Sequence, residues 1–130
     1  MNKRHKLDIV IIILCLIFLF ALCFAIMQFR EDEYTYSERS FYYSMCSDSY
    51  DNIARMSRTN RVLGKNSGAA YQEYYALADY YEAALYYNIY TKAGDTERAE
   101  IRKRAMEDAV SRMGTLSSQK QRIDEILKLD

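Results

Sequence analysis

The sequence predicts an all-α protein: one N-terminal transmembrane helix followed by a small extramembrane bundle of about four helices. Three observations predict it. Residues 7–29, LDIVIIILCLIFLFALCFAIMQF, form a 23-residue apolar run whose strongly polar members, Asp8 and Gln28, sit next to its ends. Beyond it, apolar residues recur at a spacing of three to four, the period of an amphipathic helix. Proline is absent, and the four glycines, Gly64, Gly68, Gly94 and Gly114, stand where that pattern stops or restarts. Glycine tolerates the left-handed backbone that ends a helix.

At about 1.5 Å per residue the apolar run reaches roughly 35 Å, against a hydrocarbon core about 30 Å thick. No charge lies between Ile9 and Met27, so nothing in it resists burial in lipid. A helix satisfies every backbone polar group internally, which lipid requires. The chain then divides into a short basic tail (1–6), a transmembrane helix (7–29) and a helical domain (30–130). Lys3, Arg4 and Lys6 crowd the N-terminal flank, whereas the other flank reads Arg30, Glu31, Asp32, Glu33. The positive-inside rule places the N-terminus in the cytoplasm and the domain outside it, at the plasma membrane. A cleaved signal peptide is the rival reading. Cys23-Phe24-Ala25 is a poor cleavage site, and the apolar run continues past it, so an uncleaved anchor is expected. Neither Cys15 nor Cys23 follows a small residue, so neither is expected to carry lipid. Ala21 and Ala25 make one small-xxx-small pair, read as two alanines facing lipid.

A chain of 130 residues has room for one domain. Beyond the anchor, 15 basic residues (all but Lys3, Arg4 and Lys6 of 18) face 17 acidic ones (all but Asp8 of 18). That balance offers nucleic acid no basic field. Cys15 and Cys23 are plain hydrophobes of the anchor. Cys46 is either buried and reduced or free to pair between chains, and burial is the expectation. The single histidine, His5, lies in the tail. A His/Cys metal site or a His-based triad therefore has no parts, and neither cofactor nor enzyme activity is expected. Paired carboxylates at helical spacing, Glu97 with Glu100 and Asp79 with Glu82, read as surface pairs.

The first helix of the domain is predicted from about Tyr34 to Leu63, with Phe41, Met45, Ile53, Met56 and Leu63 inward and Asp51–Arg55 as an i,i+4 pair. The run Ser44–Ser49 is poor in helix formers. Arg55, Arg58, Arg61 and Lys65 gather at its C-terminal end, where cations suit the helix dipole. Residues 69–92 form the second helix. Ala70, Tyr74, Leu77, Ala78, Tyr81, Leu85 and Ile89 make one stripe; Tyr71, Tyr75, Tyr86 and Tyr90 make another beside it. A helix with aromatics on most sides is sandwiched between neighbours, and some tyrosines are expected to face a partner. Asp95 or Thr96 caps the third helix, which buries Ala99, Met106, Ala109, Val110 and Met113, with Ile101 and Ala105 widening the face. Glu100–Arg104 and Asp108–Arg112 pair on its outside. Ser118 and Gln121 match a capping box for the last helix, whose apolar side is Leu116, Ile123, Ile126, Leu127 and Leu129.

Residues 74–106, YYALADYYEAALYYNIYTKAGDTERAEIRKRAM, centre on Tyr90 and then Gly94-Asp95-Thr96-Glu97-Arg98-Ala99. This stretch resembles one helical hairpin of the tetratricopeptide-repeat family. Lys103 replaces that family's usual aromatic, Met106 its alanine, and the closing proline is missing. The resemblance implies a hairpin with a Gly-Asp turn and close helix approach at Ala78, Ala83, Ala84 and Ala99. Arrays of this kind need about three units to bury a continuous core. Four helices supply two at most, so the module must close as a bundle, self-associate, or finish its core on another protein. The family's peptide-binding face implicates Tyr74, Tyr81 and Asn88, with neighbours Tyr71 and Tyr75. The expected function is a membrane-anchored interaction module, scaffold or subunit of an envelope complex, whose partners are the lipid bilayer and another protein or a second copy. The alternative is an extracytoplasmic four-helix ligand-sensing domain acting through a membrane partner.

Overall fold

The computed structural model describes residues 2–33 and 35–129; it is all-helical among these, and divides into two units, residues 1–34 and 35–130. The first unit is helix α1, Lys3–Glu33. Its stretch Lys3–Gln28 is long and apolar enough to cross a membrane. Within it, Ile9, Phe18, Phe20 and Met27 are 44%, 69%, 80% and 67% exposed.

The second unit contains α2 (Glu38–Cys46), α3 (Tyr50–Leu63), α4 (Ala69–Lys92), α5 (Thr96–Arg112), a 3-10 turn (Gly114–Ser118) and α6 (Gln119–Leu127). The helix expected over 34–63 is therefore two helices, and its expected first residue, Tyr34, lies outside the described residues. The chain breaks at Ser47-Asp48-Ser49, whose short polar side chains compete with helical hydrogen bonds. Ser47 Oγ donates to the Tyr43 carbonyl at 2.7 Å, and Asp48 takes a left-handed φ of 56°. Arg122 of α6 clasps the Asp48 carboxylate at 2.7 Å, which holds it ionised below the usual carboxylate range. Arg55 bonds Asn52 and the Tyr36 hydroxyl rather than the expected Asp51.

Helix α4 is the centre of the unit and packs against α2, α3, α5 and α6. Between Tyr74 and Ala84 it buries Tyr74, Tyr75, Ala76, Leu77, Ala78, Tyr80, Ala83 and Ala84, which is burial on every side. The alanines let neighbouring backbones come close, while the tyrosines fill the volume between them. Phe41 from α2, Tyr50, Ile53 and Met56 from α3, Ala109 from α5, Met113 and, from α6, Ile123 complete the core. Beyond Ala84 the cover thins: Tyr86 and Ile89 are 42% and 49% exposed. On α5, Ile101 is 58% exposed and Ala105 also faces outward, so that face is narrower than its sequence pattern suggests. Among the described residues α4 is the main neighbour of α5, and one main neighbour covers one stripe. On α6, Ile126 is exposed as well.

The turns follow local chemistry. Gly94 stands at φ 75°, and the Asp95 carboxylate accepts from the Arg98 N–H at 3.1 Å, capping α5. The Glu100–Arg104 and Asp108–Arg112 pairs form, at 3.8 and 3.0 Å. Ser118 does not cap α6. Its backbone is already right-handed helical and its side chain makes no cap bond, because the preceding 3-10 turn runs directly into the helix. Cys46 is exposed rather than buried; it is the last residue of α2, and the chain turns away just after it.

Gly114 stands at φ 55°, and a Cβ added there would collide with the Glu73 carboxylate, which holds Thr115 through its N–H at 3.3 Å and its hydroxyl at 2.8 Å. Gly94 has open space around it. Gly94→Ala is expected to cost about 1 kcal/mol, the left-handed penalty alone. Gly114→Ala is expected to cost about 2 to 3 kcal/mol, since the Glu73–Thr115 contact must also give way. Urea denaturation of both variants measures the difference; equal losses would show that Glu73 does not pin this turn.

Candidate functional site

The tyrosines expected to meet a partner are distributed over three places. Tyr71, Tyr74 and Tyr75 gather around Phe41 of α2, with ring centroids 6.2, 5.3 and 5.8 Å from it. Tyr81 is half-buried and stacks on Tyr50 of α3 at 6.2 Å. Asn88 donates from Nδ2 to the Leu127 carbonyl of α6 at 3.1 Å. The face that the tetratricopeptide resemblance offers to a peptide is thus filled by the chain's own α2, α3 and α6. Tyr75 is a core residue, 2% exposed; its hydroxyl donates to the Asn66 carbonyl at 2.6 Å, and burial pushes its phenol up from the ordinary value. The five residues do not form one surface.

What remains open lies at the start of α4. Ser37, Glu38, Arg39 and Tyr42 of the α2 side, with Tyr71 and Tyr74 of α4, line a groove of about 470 Å³. Its geometry follows from the bond between the Glu38 N–H and the Tyr71 hydroxyl, at 3.0 Å, which fastens the first turn of α2 to the first turns of α4. Phe41 is fully buried, and its neighbour Tyr42, about 100° further round the helix, is 52% exposed. Tyr74 stacks on Phe41 at an interplanar angle of 27° and forms the floor. Burial first, and then the nearby Glu38 carboxylate, raise the Tyr74 phenol above its ordinary value. Arg39 is committed to Tyr43: its Nε and Nη2 donate to that hydroxyl at 3.3 and 3.1 Å, and the guanidinium lies 5.5 Å over the ring. The walls are aromatic, and polar groups are confined to the rim, the usual make-up of a recognition groove.

Sequence reasoning named Tyr71 and Tyr74 but missed Tyr42 and Glu38. The signal available was their i,i+4 spacing on one helical face, which has meaning only once α2 is known to cross the start of α4.

Other concavities lie in the domain. Tyr80, Met106 and Val110, rimmed by Lys103, Glu107 and Lys120, enclose about 370 Å³ between α5 and α6. A crevice of about 130 Å³ lies between α3 and α4 under the Arg61–Asp79 ion pair. The Ser57 hydroxyl, buried beside that crevice, has no hydrogen-bond partner among the described residues. Among the described residues, no group of three His, Cys, Asp or Glu side chains is placed to hold a metal ion. Comparison of the chain with protein-family models, with curated proteins and with solved structures gives no match.

Proposed function

We propose that the chain is a single-pass membrane protein whose helical domain binds another protein through the α2–α4 groove. The observation that carries this reading is the groove itself: Tyr42, exposed over a floor of Tyr74 and Tyr71, in a domain that follows an uncovered apolar helix. An exposed tyrosine set against further aromatic rings is the kind of residue that protein interfaces use as an anchor. Lys3, Arg4 and Lys6 at the start of α1 favour an N-terminus in the cytoplasm and a domain outside it. Protease added to intact cells is then expected to cut the domain and spare the tail.

The experiment is photo-crosslinking in native membranes. A benzophenone amino acid replaces Tyr42, keeping an aromatic ring in place, or Gln121, an exposed residue of α6 outside the groove. A discrete heavier species is expected from position 42 and not from 121. Equal smears from both positions, or no adduct, would count against the reading.

A second reading, a ligand-sensing domain, draws on the 370 Å³ cavity between α5 and α6, which is within the size range of small-molecule sites. The resemblance of α4–α5 to a tetratricopeptide hairpin is compatible with both readings. Support for it comes from Ala99, 7% exposed against α4, and from the Gly94-Asp95 turn.

A further inference from the structure

We propose that the α2–α4 groove receives a basic side chain, lysine or arginine, of the protein partner, with its charge on Glu38 and its stem against Tyr42 and Tyr74. This rests on the function proposed above and gives that partner a chemistry.

The domain shows how its own tyrosine rings are covered. Arg39 lies over Tyr43, Arg55 over Tyr36, Arg61 over Tyr75, Arg98 over Tyr90 and Arg102 over Tyr86, with the guanidinium carbon 4.8 to 5.7 Å from the ring centre. Planar cations stack on such rings because the ring face is electron-rich. Tyr42, Tyr43 and Tyr86 are exposed, at 52%, 56% and 42%. Tyr43 and Tyr86 each carry an arginine of the chain. Tyr42 has no cation over it among the described residues, although it stands beside Tyr43 with an interring distance of 6.2 Å.

The groove also holds one uncommitted charge, and it is negative. Glu38 and Arg39 are its charged lining residues. Arg39 is spent on Tyr43. The Glu38 carboxylate has no ion pair among the described residues, although its backbone N–H is bonded to Tyr71. Glu38 and Tyr42 are four residues apart on α2, so carboxylate and open ring share a face. An aromatic wall with an unpaired carboxylate at its edge is complementary to an organic cation on a flexible apolar stem. The proposed topology puts the chain's own basic tail, Lys3–Lys6, in the cytoplasm and the groove outside it, so the tail is not the occupant.

The test uses the full-length protein in native membranes with the benzophenone at position 42. Glu38→Gln is expected to lower the yield of the adduct roughly fivefold, and Glu38→Lys to abolish it. Glu38→Asp is expected to retain part of it. Peptide mapping of the adduct is expected to place a lysine or arginine of the partner within a few residues of the crosslink. Glu38 is exposed, so helicity and melting of each variant are expected to match the parent. An adduct that forms equally well with Glu38→Gln would overturn this inference while leaving the proposed function standing. So would a mapped partner segment without a basic residue, or an adduct that is a second copy of this chain. Absence of any adduct in the parent would overturn both.

Discussion

Asn60→Leu lowers the stability of the helical domain by about 3 kcal/mol, the largest loss expected from a single polar side chain here. Asn60 is fully buried near the end of α3. Its Oδ1 accepts from the Tyr36 N–H at 2.8 Å, and its Nδ2 donates to the Tyr36 carbonyl at 2.9 Å. One side-chain amide thereby pairs both backbone groups of a residue just ahead of α2. Leucine has similar volume but leaves the Tyr36 N–H without a partner, at about 1 to 3 kcal/mol, and removes a second bond. The carbonyl is still served by Asn66, which donates to it at 3.0 Å. Asn66→Ala is accordingly expected to cost only about 1 kcal/mol, since Asn60 remains on the same oxygen. For a domain of this size the Asn60 loss corresponds to a melting temperature lower by roughly 15 °C. Thermal melts of the detergent-solubilised protein, followed by circular dichroism, measure both variants. Equal small shifts for the two would mean that Tyr36 is not clamped by Asn60.

That clamp joins residues 24 apart, and this distance separates what could be read from the sequence from what could not. The apolar helix was legible because one requirement, an uncharged side chain, is met at every residue of Ile9–Met27. The α4–α5 hairpin was legible because Gly94 and Asp95 meet local demands, a positive φ and an unsatisfied helix N–H. The break at 47–49 was visible only as a run of poor helix formers. Its final form depends on Arg122, 74 residues away. Ile101 follows the helical period yet stays exposed, because periodicity says which face is apolar but not whether a neighbour reaches it. The candidate site divides in the same way. Tyr71 and Tyr74 stood out through the density of tyrosine along one helix. Tyr42 and Glu38 carry no signal of their own until Phe41 locks α2 onto that helix. Tyr75 and Tyr81 belong to the same pattern and are turned to packing, against Phe41 and Tyr50.

The tyrosine-filled core makes the domain sensitive to alkali, and this is the second large effect expected. Burial raises the phenols of Tyr50, Tyr74, Tyr75, Tyr80 and Tyr81 above the ordinary value of 10.0. Tyr80 is raised furthest, by burial and then by its hydrogen bond to Asp124, since a hydroxyl donating to a carboxylate cannot release its proton cheaply. A phenol whose folded pKa exceeds its unfolded one binds its proton more tightly in the native state. Its contribution to stability is therefore whole below pH 10 and declines as pH rises beyond it. Each such group contributes a slope of at most about 1.4 kcal/mol per pH unit, and only between its unfolded and its folded pKa. Phenolate absorbance and helicity, recorded together against pH, are expected to change in one cooperative step above pH 10 for these five residues. Tyr80→Phe removes one titrating group, so its stability is expected to fall less steeply, by about 1.4 kcal/mol per unit. It also starts lower, because Asp124 then keeps only its 2.9 Å contact with Lys120. The two stability–pH curves converge as alkali rises. Parallel curves would mean that Tyr80 ionises equally well in the folded and unfolded chain, and that its bond to Asp124 does not hold the proton in place.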